Sequence, residues 1–191
     1  MKYTWWIGAL IIAGLLGSCE QDPRSAYQAQ VRKELASGNR QDSIFFGIYL
    51  GMSRDDFYNH CWQMNKEGVF IQGTGNTSVQ YVLEEEFPYP AYMNFYPDFR
   101  DKKIAAMPTY IGYRTWAPWI KETHSDALIL EVKALLEDWY GPGFTLIPEE
   151  NGQPAYYKVD GNREIKLEME DEQRVKFTVT DLEQMREEIL N

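Results

Sequence analysis

The 191-residue chain has few of the residues that most often carry enzyme chemistry, with only two cysteines and two histidines. Histidine is the usual general base near neutral pH and a common metal ligand. No H-x-x-x-H or C-x-x-C spacing is present. The sequence therefore predicts no metal site, no cofactor and no catalytic residues, and we expect a protein that is not an enzyme.

Positive charge is also scarce, since 19 Lys and Arg residues stand against 29 Asp and Glu residues, for a formal net charge of −10. A surface of this sign repels the phosphate backbone of nucleic acids. It also disfavours electrostatic adhesion to anionic lipids. We therefore expect no nucleic-acid partner.

One of the two thiols lies inside a predicted helix. Cys61 follows His60, but neighbouring side chains on a helix diverge by about 100° and do not pair. Cys61 shares an apolar stripe with Phe57 and Met64 at helical spacing. The pattern indicates a core cysteine rather than a nucleophile.

Long apolar runs are absent except at the N-terminus. Lys2 precedes a run of about twelve residues from Trp5 to Leu16, within the usual ~7–15 for the core of a secretory signal. The run is shorter than the ~20 residues of a membrane-spanning helix. The small residues Gly17 and Ser18 then lead directly to Cys19.

The tract from Leu16 to Cys19 resembles the lipobox of bacterial lipoproteins. The resemblance implies that Cys19 becomes the first mature residue and carries acyl chains, which would make the membrane a partner. Two or more such chains anchor firmly. The next residue is Glu20, whereas an Asp at this position would resemble an inner-membrane retention signal. The resemblance therefore implies the outer membrane. Whether the protein lies on the periplasmic or the cell-surface side stays open. An ordinary signal peptide with an incidental cysteine is the alternative.

The organisation predicted from these features is a signal peptide at 1–18, a lipidated cysteine and tether at 19–43, and a single domain at 44–191. Removal of the signal leaves 173 residues, enough to bury a core. The tether contains a short helix predicted at 25–36. The tract around Ser43 resembles the three-residue O-glycosylation motif of exported Bacteroidota proteins, which implies a glycan on that hydroxyl.

The body shows helical and strand periodicities in a repeated order. Apolar stripes predict two helices, with Ser53 and Ser125 as their N-caps, and a last helix with Asp181 as its N-cap. Predicted strands lie at 69–72, 79–84, 92–96, 104–113, 144–147, 155–159, 164–169 and 174–180. Successive hairpins with helices outside the sheet indicate an α+β fold, an antiparallel sheet with helices packed on one side. The repeated order favours tandem duplication of a helix–hairpin unit, with halves at 44–118 and 119–191.

The stretch from Leu50 to Phe57 resembles the helix start of small envelope lipoproteins related to the E subunit of the outer-membrane barrel-assembly machinery. A tandem version of that helix–sheet unit occurs in the β-lactamase-inhibitor-protein fold. The whole chain is similar to outer-membrane lipoproteins of Bacteroidota. These resemblances imply a non-enzymatic protein-interaction or assembly role at the outer membrane.

The segment 87–119 is rich in aromatic residues, which suit protein hot spots, sugar stacking or a core. The candidate binding residues are Tyr92, Tyr96, Tyr113, Trp116 and Trp119. Strand alternation places Met93 and Phe95 on one face and Tyr92 and Tyr96 on the other. Two functions stay open, binding of an envelope protein partner and binding of a surface glycan or other ligand. The alternative for these rings is that they fill a core between the halves.

Overall fold

The computed structural model describes residues 22–73, 77–150 and 152–185. Cys19, the signal and residues 186–191 of the helix predicted after Asp181 lie outside these ranges. The described residues of that predicted helix, 182–185, form a turn. The described helices are α1 (Pro23–Ser37), α2 (Arg54–Lys66) and α3 (Ser125–Tyr140). The strands are β1 (Ile71–Gln72), β2 (Val79–Leu83), β3 (Ala91–Phe95), β4 (Asp98–Arg100), β5 (Lys103–Tyr113), β6 (Thr145–Pro148), β7 (Pro154–Asp160), β8 (Arg163–Met169) and β9 (Arg174–Asp181). None of the helices in these ranges is long and apolar enough to cross a membrane.

All strands belong to one open antiparallel sheet with the order β1-β2-β3-β5-β9-β8-β7-β6, and β4 pairs with part of β5. This confirms the α+β prediction. Each half begins with a helix and continues into an antiparallel meander whose last strand reaches the middle of the sheet. There β5 and β9 pair with each other over seven residues, from Ala106 to Gly112 on β5. The strand order is therefore the same when the sheet is followed inwards from either edge.

The main core lies on one face of the sheet. Strand alternation turns the odd-numbered side chains of the central strands, such as Met93, Ile111 and Phe177, towards that face, where they are fully buried. Phe57 on α2 and Leu128 on α3 belong to the same buried cluster. These two helices therefore share one side of the sheet, as predicted.

The remaining helix, α1, lies on the opposite face. Val31 and Leu35 pack with Val159 of β7 and Leu182 in a separate small cluster. The Tyr27 hydroxyl donates a hydrogen bond to Glu164 on β8, whose neighbour in sequence, residue 165, points into the main core. Helices thus cover both faces, and α1 covers only the β6–β9 side.

Two sequence predictions need correction. The tether predicted at 19–43 contains a helix that is docked on the sheet, because its stripe of Tyr27, Val31 and Leu35 finds an apolar surface there. The segment after it is also built into the fold: the backbone N–H of Gln41 donates to Asn162 Oδ1 at 2.7 Å. Ser125 is the first residue of α3 rather than its N-cap, since the capping position is His124.

Candidate functional site

The candidate site is the part of the sheet that α1 leaves uncovered. On β2, β3, β5 and β9 the even-numbered side chains point away from the main core. The register aligns Asn94, Tyr110 and Lys176 across three neighbouring strands, and Tyr92, Gly112 and Arg174 in the next row. Four residues of these rows, Tyr92, Asn94, Tyr110 and Arg174, line a surface groove of about 520 Å³, within the usual ~300–1,000 Å³ of a ligand pocket.

The floor of the groove depends on a glycine. A Cβ atom built on Gly112 would lie 2.9 Å from the Tyr92 hydroxyl and 3.2 Å from Arg174 Cγ. Contacts this short are tighter than van der Waals packing allows. Gly112 therefore lets the ring of Tyr92 and the stem of Arg174 approach each other across β5.

The Tyr110 ring lies within reach of two cations. The Arg174 guanidinium carbon and Lys176 Nζ are each 5.7 Å from its centroid, within the range of cation–π attraction. Arg174 also donates two hydrogen bonds to Asp171, at 2.9 and 2.7 Å. These bonds raise the pKa of Arg174 and fix its guanidinium beside the groove.

Asn94 offers an acceptor that the described protein does not use. Its Oδ1 atom is buried and has no hydrogen-bond partner. An unpaired buried polar atom costs free energy that a donor from a bound molecule would recover. The groove therefore combines aromatic rings, a fixed guanidinium and a free acceptor.

An exposed aromatic patch adjoins the groove. The hydroxyls of Tyr58 on α2 and Tyr96 are hydrogen-bonded at 2.6 Å, and this bond and partial burial raise the pKa of Tyr96. Trp62 is 61 % exposed and lies one helical turn beyond Tyr58 on the same side of α2. Ile71 and Trp62 line a shallow pocket that shares Ser78 with the groove. We call Tyr58, Trp62, Ile71 and Tyr96 the aromatic patch.

The two edges of the sheet are poorly suited to pairing with a strand from another chain. The β1 edge is two residues long. The β6 edge ends at Pro148, which lies opposite Pro154, and α1 packs beside it. Short edges and edge prolines are the usual means by which proteins prevent strand addition. The face of the sheet, rather than its edges, is the available surface.

The structure separates the five predicted binding residues. It brings Tyr92 and Tyr96 together at the groove. Tyr113 is only 3 % exposed because its odd position on β5 turns it into the core, where its hydroxyl donates to Glu131 at 3.1 Å. Its burial raises its pKa. The inclusion of Tyr113 among surface residues is therefore corrected.

The two tryptophans lie in the loop before α3, away from the groove. Trp116 is half-buried beside the ring of His124, with 5.8 Å between the centroids. Its Nε1 atom is buried and has no partner among the described residues. Trp119 is 81 % exposed. The predicted single aromatic site thus divides into a groove and a separate loop.

Only one of the two predicted modification sites lies within the described residues. Ser43 is exposed, and its backbone carbonyl accepts a hydrogen bond from Arg163 at 2.9 Å. Its glycosylation stays a prediction. The same holds for lipidation of Cys19, which lies outside the described residues.

The side chains of Cys61 and His60 make separate contacts and do not pair with each other. His60 Nε2 is 2.8 Å from the carbonyl oxygen of Phe46. Cys61 packs against the core, and burial raises the pKa of its thiol to about 12. The thiol is therefore protonated at neutral pH and is a poor nucleophile.

Comparison with known proteins adds no relative. A scan of protein-family models, a search of curated proteins and a search of solved structures each found no match. The resemblances to lipoproteins and to the barrel-assembly subunit therefore stay predictions.

Sequence reasoning missed most residues of the groove, including Asn94, Tyr110 and Arg174. Tyr110 belongs to the aromatic segment, and strand alternation puts it on the face opposite Tyr113. Arg174 is 64 residues further along the chain and reaches the groove only because β9 pairs with β5. Alternation alone offers a signal for Asn94 and Tyr110, whereas Arg174 required the strand order.

Proposed function

We propose that the protein is a lipid-anchored, non-enzymatic interaction module of the outer membrane that binds an envelope protein through the groove and the aromatic patch. Anchorage rests on the lipobox resemblance at Cys19. The observation that carries the binding role is the sheet face beside α1, which presents Tyr92, Tyr110 and Arg174. Tyrosine, tryptophan and arginine are the residues most enriched in protein hot spots.

The extent of the surface favours a protein partner. The groove lies on the sheet face opposite α2, and it approaches the aromatic patch through Ser78 and Tyr96. A protein that extends from one face round to the other can contact both Arg174 on β9 and Trp62 on α2, whereas a small ligand cannot. Trp62 is stacked with the Lys66 ammonium, 3.4 Å from its ring centroid, which holds the large ring in a defined position. Aromatic anchors held in place lose little conformational freedom on binding.

A glycan is the second candidate, and Asn94 favours it. A sugar stacked on the Tyr92 or Tyr110 ring would place hydroxyl donors near the free Oδ1 of Asn94. The guanidinium of Arg174 and the side chain of Gln173 add donors at the same groove. This ligand would use the groove without the aromatic patch.

Photo-crosslinking in intact cells tests the proposal. A photoreactive amino acid replaces Tyr110 in one variant and Trp62 in another, and the products are identified by mass spectrometry. The control position is Leu130 on α3, which is 58 % exposed and lies outside both surfaces. We expect the same envelope protein to be crosslinked from both test positions and not from Leu130.

Two results contradict the protein-binding proposal. One is the same crosslinking pattern from all three positions, which indicates random collision. The other is no protein product from either test position, together with glycan-array binding that is lost in Tyr110→Ala and kept in Trp62→Ala. That combination supports the glycan alternative.

A further inference from the structure

The chain enters the folded body at one defined end of the sheet. Asp22 caps α1, and Arg24 Nη2 donates to the carbonyl oxygen of Pro148 at 2.7 Å, where β6 ends. At the other end of α1, Glu34 accepts a hydrogen bond from the backbone N–H of Gly161, in the β7–β8 turn. The helix therefore starts at the end of the sheet that carries the β6–β7 turn. We call this the entry end.

The Trp119 loop, residues 114–124, lies at the same end. It connects the end of β5 to α3, and the Ser125 N–H donates to the carbonyl oxygen of Glu172 in the β8–β9 turn at 3.1 Å. Pro118 of the loop and Gln153 of the β6–β7 turn line one surface cavity of about 600 Å³. The β6–β7 turn also holds Arg24, through the Glu149 carboxylate at 3.2 Å. One turn therefore neighbours both the start of α1 and the Trp119 loop.

The length of chain before α1 brings this end close to the membrane. Cys19 precedes Asp22 by three residues, which span at most ~10 Å when fully extended. Acyl chains on Cys19 lie in the bilayer, so the entry end cannot move far from the lipid surface. The predicted tether of 25 residues would have allowed any orientation, but the docked α1 removes that freedom.

The composition of the Trp119 loop suits the boundary between lipid and water. Trp119 is 81 % exposed, and the loop also exposes Arg114 and Lys121. Tryptophan is enriched at membrane–water interfaces, because its ring is apolar and its N–H can bond to the polar region. A tryptophan this exposed has no packing role in the fold.

The charge of the entry end selects the kind of lipid. The turns beside the loop carry Glu149, Glu150, Glu170, Asp171 and Glu172, and the loop itself adds Glu122. Glu149 is paired with Arg24 and Lys166, and Asp171 with Arg174. The four remaining carboxylates outnumber the loop's two cations. Carboxylates held near an anionic surface are repelled within about a Debye length, ~8 Å at physiological salt. A zwitterionic surface carries no such penalty.

We propose that the Trp119 loop contacts a zwitterionic lipid surface and orients the body on the membrane; this rests on the proposed lipidation of Cys19. With the entry end on the membrane, the strands run away from the surface. The groove and the aromatic patch then face sideways, where a neighbouring protein of the same membrane reaches them.

Quenching of tryptophan fluorescence by brominated lipid tests the inference. The mature lipidated protein is reconstituted in brominated phosphatidylcholine vesicles, and its intact mass is recorded first. The mature chain has four tryptophans: Trp62, Trp116, Trp119 and Trp139. We expect Trp119→Phe to lower the quenched fraction of the emission at least twofold. The control Trp62→Phe removes an emitter that the lipid does not quench, so it should not lower that fraction. Circular dichroism verifies that both exposed-site variants fold.

The outcomes separate this inference from the anchorage on which it rests. An intact mass with an unmodified Cys19 overturns both. A lipidated protein whose quenching is equal in wild type and Trp119→Phe overturns the loop contact and leaves the anchor in place. If Trp119 is covered in native envelopes but not in vesicles, the result overturns the lipid contact and indicates a protein contact. Stronger quenching in brominated phosphatidylglycerol than in phosphatidylcholine contradicts the choice of zwitterionic lipid.

Discussion

The Tyr27 hydroxyl on α1 donates a hydrogen bond to the Glu164 carboxylate on β8, across the face of the sheet opposite the main core. This bond is the polar centre of the contact that docks α1. The apolar part of the contact is the small cluster around Val31 and Leu35. Because α1 is docked, residue 22 and the groove belong to one folded unit, and the proposed anchor at Cys19 precedes that unit by three residues.

Loss of the Tyr27 hydroxyl is expected to destabilise the protein. Tyr27→Phe leaves the buried Glu164 carboxylate without this donor, which costs about 1–3 kcal/mol. Chemical denaturation at pH 7 measures the change. Tyr89→Phe is the control, because Tyr89 is an exposed tyrosine outside the α1 contact. Equal stability of wild type and Tyr27→Phe would show that α1 is not held by this bond.

The pH dependence of stability gives a second prediction at the same contact. Burial raises the pKa of Glu164 above its ordinary value, and the bond from Tyr27 opposes that shift. The folded state therefore binds the proton more tightly, so the contribution of Glu164 to stability is greatest at acid pH. It falls as pH rises through the folded pKa. We expect Glu164→Gln to remove this loss of stability with rising pH and to be at least as stable as wild type at pH 7. Unfolding measured from pH 4 to 7 checks this expectation. A variant with the same pH profile as wild type contradicts it.

The sequence predicts most elements of this fold because their signals are local. The stripe Phe57, Cys61 and Met64 has helical spacing, and Ser53 accepts the predicted capping bond from the Asp56 N–H at 3.1 Å. Alternation assigns Met93 and the even-numbered residues around it to opposite faces. Such patterns need only neighbouring residues.

What the sequence does not predict depends on distant residues. The sequence shows the apolar stripe on α1, but its partner Val159 is more than 120 residues away along the chain. The pattern alone therefore predicts a tether that contains a helix. The aromatic pattern predicts Tyr113 as a binding residue, but its pairing with Ala91 places it on the core face. The groove requires β5 and β9 to be neighbours, and no local pattern shows that.

The groove depends on Gly112, which offers a variant that alters binding more than folding. In Gly112→Ala the new methyl group displaces the Tyr92 ring and the Arg174 stem, both of which end at the surface. We expect crosslinking from Tyr110 to fall at least fivefold, while the free energy of unfolding changes by no more than ~2 kcal/mol. Retained crosslinking in a folded variant would place the partner elsewhere.

The partly buried thiol gives a chemical test of the core assignment. Because burial raises the pKa of Cys61 to about 12, we expect the native protein to resist iodoacetamide at pH 8 and to react fully in denaturant. The measurement is the mass of the alkylated protein with and without denaturant. Rapid alkylation of the native protein would show an accessible, activated thiol and would reopen the assignment of the protein as a non-enzyme.

The proposed location at the outer membrane and the orientation of the body both depend on lipidation of Cys19. The intact mass of the protein purified from membranes measures this modification, with Cys19→Ala as the comparison. We expect a mature chain that begins at Cys19 and carries the mass of a diacylglyceryl group and a further acyl chain, and no such species for Cys19→Ala. A wild-type mass equal to the unmodified polypeptide would contradict it.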